Sequence, residues 1–236
     1  MRKTLFSGIA ACLLATAATA AEQSPSVIWT VGQADRSASE FALAPDRFRD
    51  FLANDFGYED KYFLVGHSVP AADFPYVLPG PADTWGGTWP TSGWRTHQVN
   101  ILFGLKEIPS DGTCTLVVDL LDYAKNFLPL VKVSVNTQDA KFQLDAPGLS
   151  VADQRKPNQM EKIVDTLSIT GNLAKATPRR LEIPIRPGVL KAGGNEVTIT
   201  VLEGSWILFD RVSLEGPAGT NVEQPQQLFI RNIEAA

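Results

Sequence analysis

The chain has 236 residues, with 21 Lys and Arg against 26 Asp and Glu and a formal net charge of −5. An acidic chain with no basic cluster is a poor partner for nucleic acid, whose binding rests on phosphate neutralisation. The two histidines and two cysteines leave little material for metal, redox or thiol chemistry.

Residues 1–20 have the three parts of a secretory signal peptide. Arg2 and Lys3 supply the positive start, Leu5 to Ala17 the apolar stretch, and Ala18-Thr19-Ala20 a small-x-small cleavage site. The mature chain is expected to begin at Ala21, with residues 21–236 forming one domain, a length that all-β sandwiches often reach unbroken. The apolar run continues past Cys12 through Leu14, which argues against lipoprotein processing. No later run of about 18 apolar residues follows, so no membrane span is expected. The expected location is periplasmic or extracellular. Without Arg2 and Lys3 the chain keeps 19 basic residues against 26 acidic, a net charge of −7. Cys12 leaves with the leader, and Cys114 alone cannot form an internal disulfide, so the domain must rely on its core. Cys114 lies in the strand-like run Thr113-Cys114-Thr115-Leu116-Val117-Val118 and reads as a buried, inert thiol.

In chain order, Val27 to Gly32 reads as a first strand closed by Gly. Pro45 to Gly57 is the one expected helix. Pro suits its first turn, Phe48, Phe51, Leu52 and Phe56 share a face, and Gly57 can end it. Lys61 to Gly66 is strand-like. His67 to Gly93 is irregular, because Pro70, Pro75, Pro79, Pro81 and Pro90 fix φ and remove donors. Strands are expected again over Thr96–Gly104, Thr113–Leu120, Leu130–Val135, Lys162–Thr170, Arg180–Ile185, Asn195–Leu202 and Trp206–Leu214. Period-two alternation is clearest in Val131-Lys132-Val133-Ser134-Val135 and in Asn195 to Val201. Gln138 to Glu161 is long and polar, and reads as a surface loop. Pro109-Ser110-Asp111-Gly112 and Ala192-Gly193-Gly194-Asn195 are turn sequences. Many short strands, Gly/Pro turns and little helical periodicity predict an all-β fold, a two-sheet jelly-roll sandwich with one short helix and long aromatic loops.

Enzyme constellations are sparse. Gly66-His67-Ser68-Val69-Pro70 departs from a nucleophile elbow at its last position and lacks the following βα unit. There is no H-E-x-x-H, CxxC pair, P-loop or dinucleotide fingerprint. The most informative stretch is Pro79 to Arg95, where Trp85, Trp89 and Trp94 fall within ten residues on a Gly/Pro-rich segment. Exposed indoles offer flat faces for sugar C–H groups, and Asp83, Arg95 and His97 are the nearest polar contacts in sequence. The competing reading folds these rings back to plug the end of the sandwich. Trp29 and Trp206 sit in apolar runs and are expected in the core. Asp35 and Arg36 follow the first strand as a turn pair or a polar anchor. Asp210 interrupts an apolar strand and needs partners, a loop backbone, an Arg or an ion.

Trp29-Thr30-Val31-Gly32-Gln33-Ala34-Asp35-Arg36-Ser37-Ala38-Ser39-Glu40-Phe41 resembles the opening of the rhamnogalacturonan lyase domain III group of polysaccharide lyase family 4. Pro79 to Trp85, Leu190 to Ile199 and Gly204 to Glu215 also resemble it, in order, over nearly the whole mature chain. The resemblance implies a galactose-binding-like jelly roll that handles plant cell-wall glycans, with poly- or oligosaccharide as partner. It further implies a binding module rather than an enzyme, since catalysis in those lyases belongs to a separate domain. The alternatives are a small lyase on a uronate polymer, with His67 or His97 as base and Arg95 against the carboxylate, and a ligand-free protein-interaction domain. No cofactor is expected. Ca²⁺ is common in such jelly rolls, but no ligand spacing places one here.

Overall fold

The computed structural model describes residues 26–47, 61–83, 98–108, 113–145 and 166–223. Its elements in chain order are β1 (Ser26–Gly32), β2 (Lys61–Leu64), α1 (Pro70–Asp73), β3 (Val77–Leu78), β4 (Gln98–Leu105), β5 (Thr115–Tyr123), β6 (Leu130–Val135), β7 (Gln138–Gln143), α2 (Thr166–Ile169), β8 (Arg179–Pro184), β9 (Gly193–Glu203) and β10 (Ile207–Gly216). They form two five-stranded sheets among the described residues. The first runs β1-β10-β5-β8, with β3 also on β10. β5 follows one edge of β10 from Ile207 to Glu215, while β1 and β3 share the other edge. The second runs β2-β4-β9-β6-β7, and its β2–β4 pair is parallel whereas the others are antiparallel. This is the all-β two-sheet sandwich expected from the alternation.

The inward residues of both sheets merge into one apolar cluster. Phe74, fully buried just after α1, packs edge-on against Phe209 of β10 at 5.1 Å and Phe63 of β2 at 5.8 Å, joining the sheets. Trp29 of β1 meets Phe103 of β4 at 5.2 Å. Trp29 and Trp206 are both buried, as their apolar runs predicted. Each such large apolar side chain contributes about 1.5–3 kcal/mol on burial, the main favourable term for a fold without disulfides.

Three segments differ from the sequence expectation. Gln138 to Gln143 is an edge strand, not a loop. Its sequence is polar because Asp139, Lys141 and Gln143 face solvent while Ala140 and Phe142 pack inward, and charged residues protect an exposed edge. Asn136, at φ 48°, makes the tight turn into it. Gln138 then ties this edge to the other sheet, donating to Pro184 O at 2.8 Å and accepting from Arg186 N at 2.9 Å. Within the expected strand Lys162–Thr170, Thr166–Ile169 is a helical turn that Gly171, at φ 92°, brings to an end. Its β-branched residues report burial rather than backbone preference, and Ser168 and Ile169 are indeed buried. β3 is two residues long and gave no periodic signal. The helix expected over Pro45–Gly57 lies outside the described residues beyond its first three, which form a turn.

Cys114 is buried, and burial pushes its thiol above the ordinary range. A disulfide-exchange reagent at pH 8 is therefore expected to leave the native chain of residues 21–236 unmodified and to titrate one thiol after unfolding. Fast labelling of the native protein would contradict the buried placement.

Candidate functional site

The β9–β10 corner gathers three turns. Gly204 and Ser205 leave β9 and turn into β10. Ser205 N donates to Phe127 O at 2.9 Å, and Ala124 N to Trp206 O at 3.0 Å, which fixes the turn after β5. Ala82 N donates to Gly204 O at 2.8 Å, which fixes the turn after β3. The approach is tight because neither Gly80 nor Gly204 carries a Cβ. A Cβ on Gly80 would stand 2.5 Å from Gly204 O, and one on Gly204, at φ 80°, would stand 2.3 Å from Leu128 O.

Asp83 locks this corner. It is only 8 % exposed. One carboxylate oxygen accepts Gly80 N–H at 2.7 Å and the other accepts the Ser205 hydroxyl. Burial pushes its carboxyl up to about 7, against the pull of the Ser205 and Gly80 hydrogen bonds. Asp83 thus stands at the root of the tryptophan-rich segment, turned inward to hold the backbone. The segment's other root is Gln98, at the start of β4 and paired with Thr200 of β9. Both roots therefore rest on the end of β9. Trp85, Trp89, Trp94, Arg95 and His97 lie outside the described residues.

A second loop, 33–44, is tied to β10, the strand that leaves this corner. Asp210 of β10 accepts Arg36 N–H at 3.0 Å, and Arg36 adopts φ 66° to present it. Asp35 accepts Ser37 N–H at 2.9 Å and Glu40 accepts Gln33 N–H at 2.9 Å, so both carboxylates fold the loop upon itself. Burial pushes the Asp210 carboxyl up to about 6. The Arg36 bond pulls it down, and the charges of Asp35, Asp119 and Glu40 add to the rise. Among the described residues no group of three or more His, Cys, Asp or Glu could hold a metal ion.

His67 is exposed in the turn after β2, at the end of that strand remote from Lys61 and Gln98. Ser68 has a structural role there, its hydroxyl accepting Leu64 N–H at 2.9 Å. On the outer face of the first sheet Arg211 meets Asp119 at 2.9 Å, and Arg180 meets Glu182 at 2.7 Å and Asp119 at 3.4 Å. These arginines are matched by carboxylates and form no basic patch. Sequence reasoning missed Gly80, Gly204 and Ser205 as the corner's fasteners. Their signal was the glycine in each of two distant turns.

The family description "CBM-like: Polysaccharide lyase family 4, domain III" matches residues 27–214. The chain belongs to that family. The match begins in β1 and ends in β10, so this domain III sandwich is the matched unit. No curated protein matches the chain. Among solved structures, a family GH115 4-O-methyl-alpha-glucuronidase with specificity for decorated arabinogalactans is similar at 16 % identity and a TM-score of 0.31, covering 51 % of this chain and 13 % of that one. Dimeric latent PorU from Porphyromonas gingivalis is similar at 12 % identity and a TM-score of 0.28, covering 52 % of this chain and 10 % of that one. In both cases about half of this chain is matched to a small part of the other protein. No helix among the described residues is long and apolar enough to cross a membrane.

Proposed function

We propose that this chain is an exported carbohydrate-binding domain for plant cell-wall glycans of the rhamnogalacturonan type. Its membership of a CBM-like family is the observation that carries the reading. Trp85, Trp89 and Trp94 form the stacking platform, and Arg95 and His97 supply hydrogen bonds to hydroxyls or a uronate carboxylate. Asp83 serves the site from below by fixing the root of the segment. The placement is supported by the corner geometry: a binding segment gains when its ends are held by rigid strands, because less order has to be imposed on ligand capture. Export follows from the leader at residues 1–20, and the secreted protein should begin at Ala21 on N-terminal sequencing.

Glycan-array retention tests the site. The intact protein is expected to be retained on rhamnogalacturonan and related wall glycans. Replacing Trp85, Trp89 and Trp94 together by Ala should abolish retention and leave the circular dichroism unchanged. Retention that survives the triple change would place the binding surface elsewhere.

A further inference from the structure

β7 closes one end of the second sheet and pairs with β6 alone. Just beyond it, Leu144 N still donates back to Pro129 O at 3.1 Å. Backbone groups alternate in direction along a strand, so the even-numbered residues of β7 face β6. The N–H and C=O groups of Asp139, Lys141 and Gln143 face away from the sheet, and no strand among the described residues pairs with them. All three residues are exposed. The β6–β7 ladder has no register shift, so no bulge turns this open edge away.

The charges of the edge are unmatched within the chain. Lys141 stands directly opposite Lys132 across the ladder, and like charges so placed repel. Asp139 relieves Lys132, at 3.1 Å, and also accepts the Ser134 hydroxyl at 2.7 Å. Lys141 makes no ion pair with a described residue. Charges on an edge block indiscriminate pairing, and they also select among registers. Two copies joined edge to edge about a two-fold axis run antiparallel, with their outward-facing residues opposite each other. An axis at Lys141 sets that lysine against the partner's Lys141, and an axis at Asp139 sets that carboxylate against the partner's Asp139. An axis at Ala140 instead sets Asp139 of each copy opposite the partner's Lys141, twice over. The same register puts Ala140 opposite the partner's Ala140 and Gln138 opposite the partner's Phe142. It thereby covers Ala140 and Phe142, the apolar residues of the edge, which the single chain leaves only partly buried. We propose that β7 is a homodimer interface in this register, joining the second sheets into one continuous sheet with five strands from each copy.

Sedimentation equilibrium of residues 21–236 tests this. Two short strands bury little area, so the parent is expected to dimerise in the micromolar to millimolar range. Lys141→Asp turns both opposite-charge pairs into like-charge pairs and should weaken dimerisation about tenfold or more. Asp139→Lys should do the same. Mixed together, the two variants present opposite charges to each other at both positions and should form a heterodimer. Both substitutions are at exposed positions, and circular dichroism checks that the variants fold. Should either unfold, Lys141→Pro decides, because it removes an outward N–H that β6 does not use and should leave a folded monomer. A parent that stays monomeric at millimolar concentration overturns the proposal. A dimer that survives the variants overturns it as well, since the interface would then lie elsewhere. So does a mixture that fails to associate when the parent dimerises and the single variants do not.

Discussion

Gly204→Ala is expected to lower stability by roughly 3 kcal/mol and to weaken glycan retention with it. Two terms add. At φ 80° an L side chain is strained by about 1–2 kcal/mol. The new Cβ also stands 2.3 Å from Leu128 O and 2.8 Å from Phe127 O, which are backbone atoms of the neighbouring turn. Overpacking against atoms that cannot rotate away costs a further ~1–3 kcal/mol. For a chain of this size the sum corresponds to a fall in Tm of about 6–12 °C. Gly193→Ala is the matched control, because Gly193 has the same φ of 80° but nothing within 4 Å of its added Cβ. It should show only the backbone term. Equal shifts in Tm for the two variants would mean that the close approach of the 124–129 turn to Gly204 is not as drawn. The functional consequence follows from the hydrogen bonds: displacing Gly204 displaces Ser205, and Ser205 holds Asp83 at the root of the tryptophan-rich segment.

The sheets were legible in the sequence wherever one face of a strand is buried and the other wet. β6 and β9 alternate apolar and polar residues for that reason, and β10 is apolar because it lies mid-sheet with β5 on one side and β1 and β3 on the other. β7 was illegible because an edge strand is held by one neighbour only and uses charged residues on its open side. Asp83 was singled out by proximity to three tryptophans, and Asp210 by its place in an apolar strand. The inward turn of Asp83 toward Gly80 and Ser205 depends on a contact across 122 positions of chain, which local pattern does not carry.

Acid is expected to stabilise this protein between about pH 4 and 7, contrary to the usual behaviour of carboxylate-rich domains. Asp83 ionises near 3.8 when unfolded and near 7 in the fold, because burial disfavours its charge more than two hydrogen bonds favour it. The folded state therefore binds the extra proton. The stabilisation from this group is fully present below pH 3.8 and is lost as pH rises through about 7. Its full size is up to about 4 kcal/mol, from 1.36 kcal/mol per unit. Asp210, raised to about 6, has the same sign and acts over a lower window. The variant that isolates Asp83 is Asp83→Asn. Its amide oxygen can accept Gly80 N–H and its nitrogen can donate to Ser205 Oγ, so both partners are kept while the charge is removed. Asp83→Ala would instead leave a buried N–H and a buried hydroxyl without their acceptor, which confounds charge with lost hydrogen bonds. Urea unfolding at pH 5 and pH 8 is the measurement. The parent should be more stable at pH 5 than at pH 8, and Asp83→Asn should flatten most of that slope by gaining stability at pH 8. An unchanged slope in the variant would mean that Asp83 is charged in the fold at neutral pH. The root of the tryptophan-rich segment would then be held by an ion with access to water rather than by a buried, proton-sharing carboxyl.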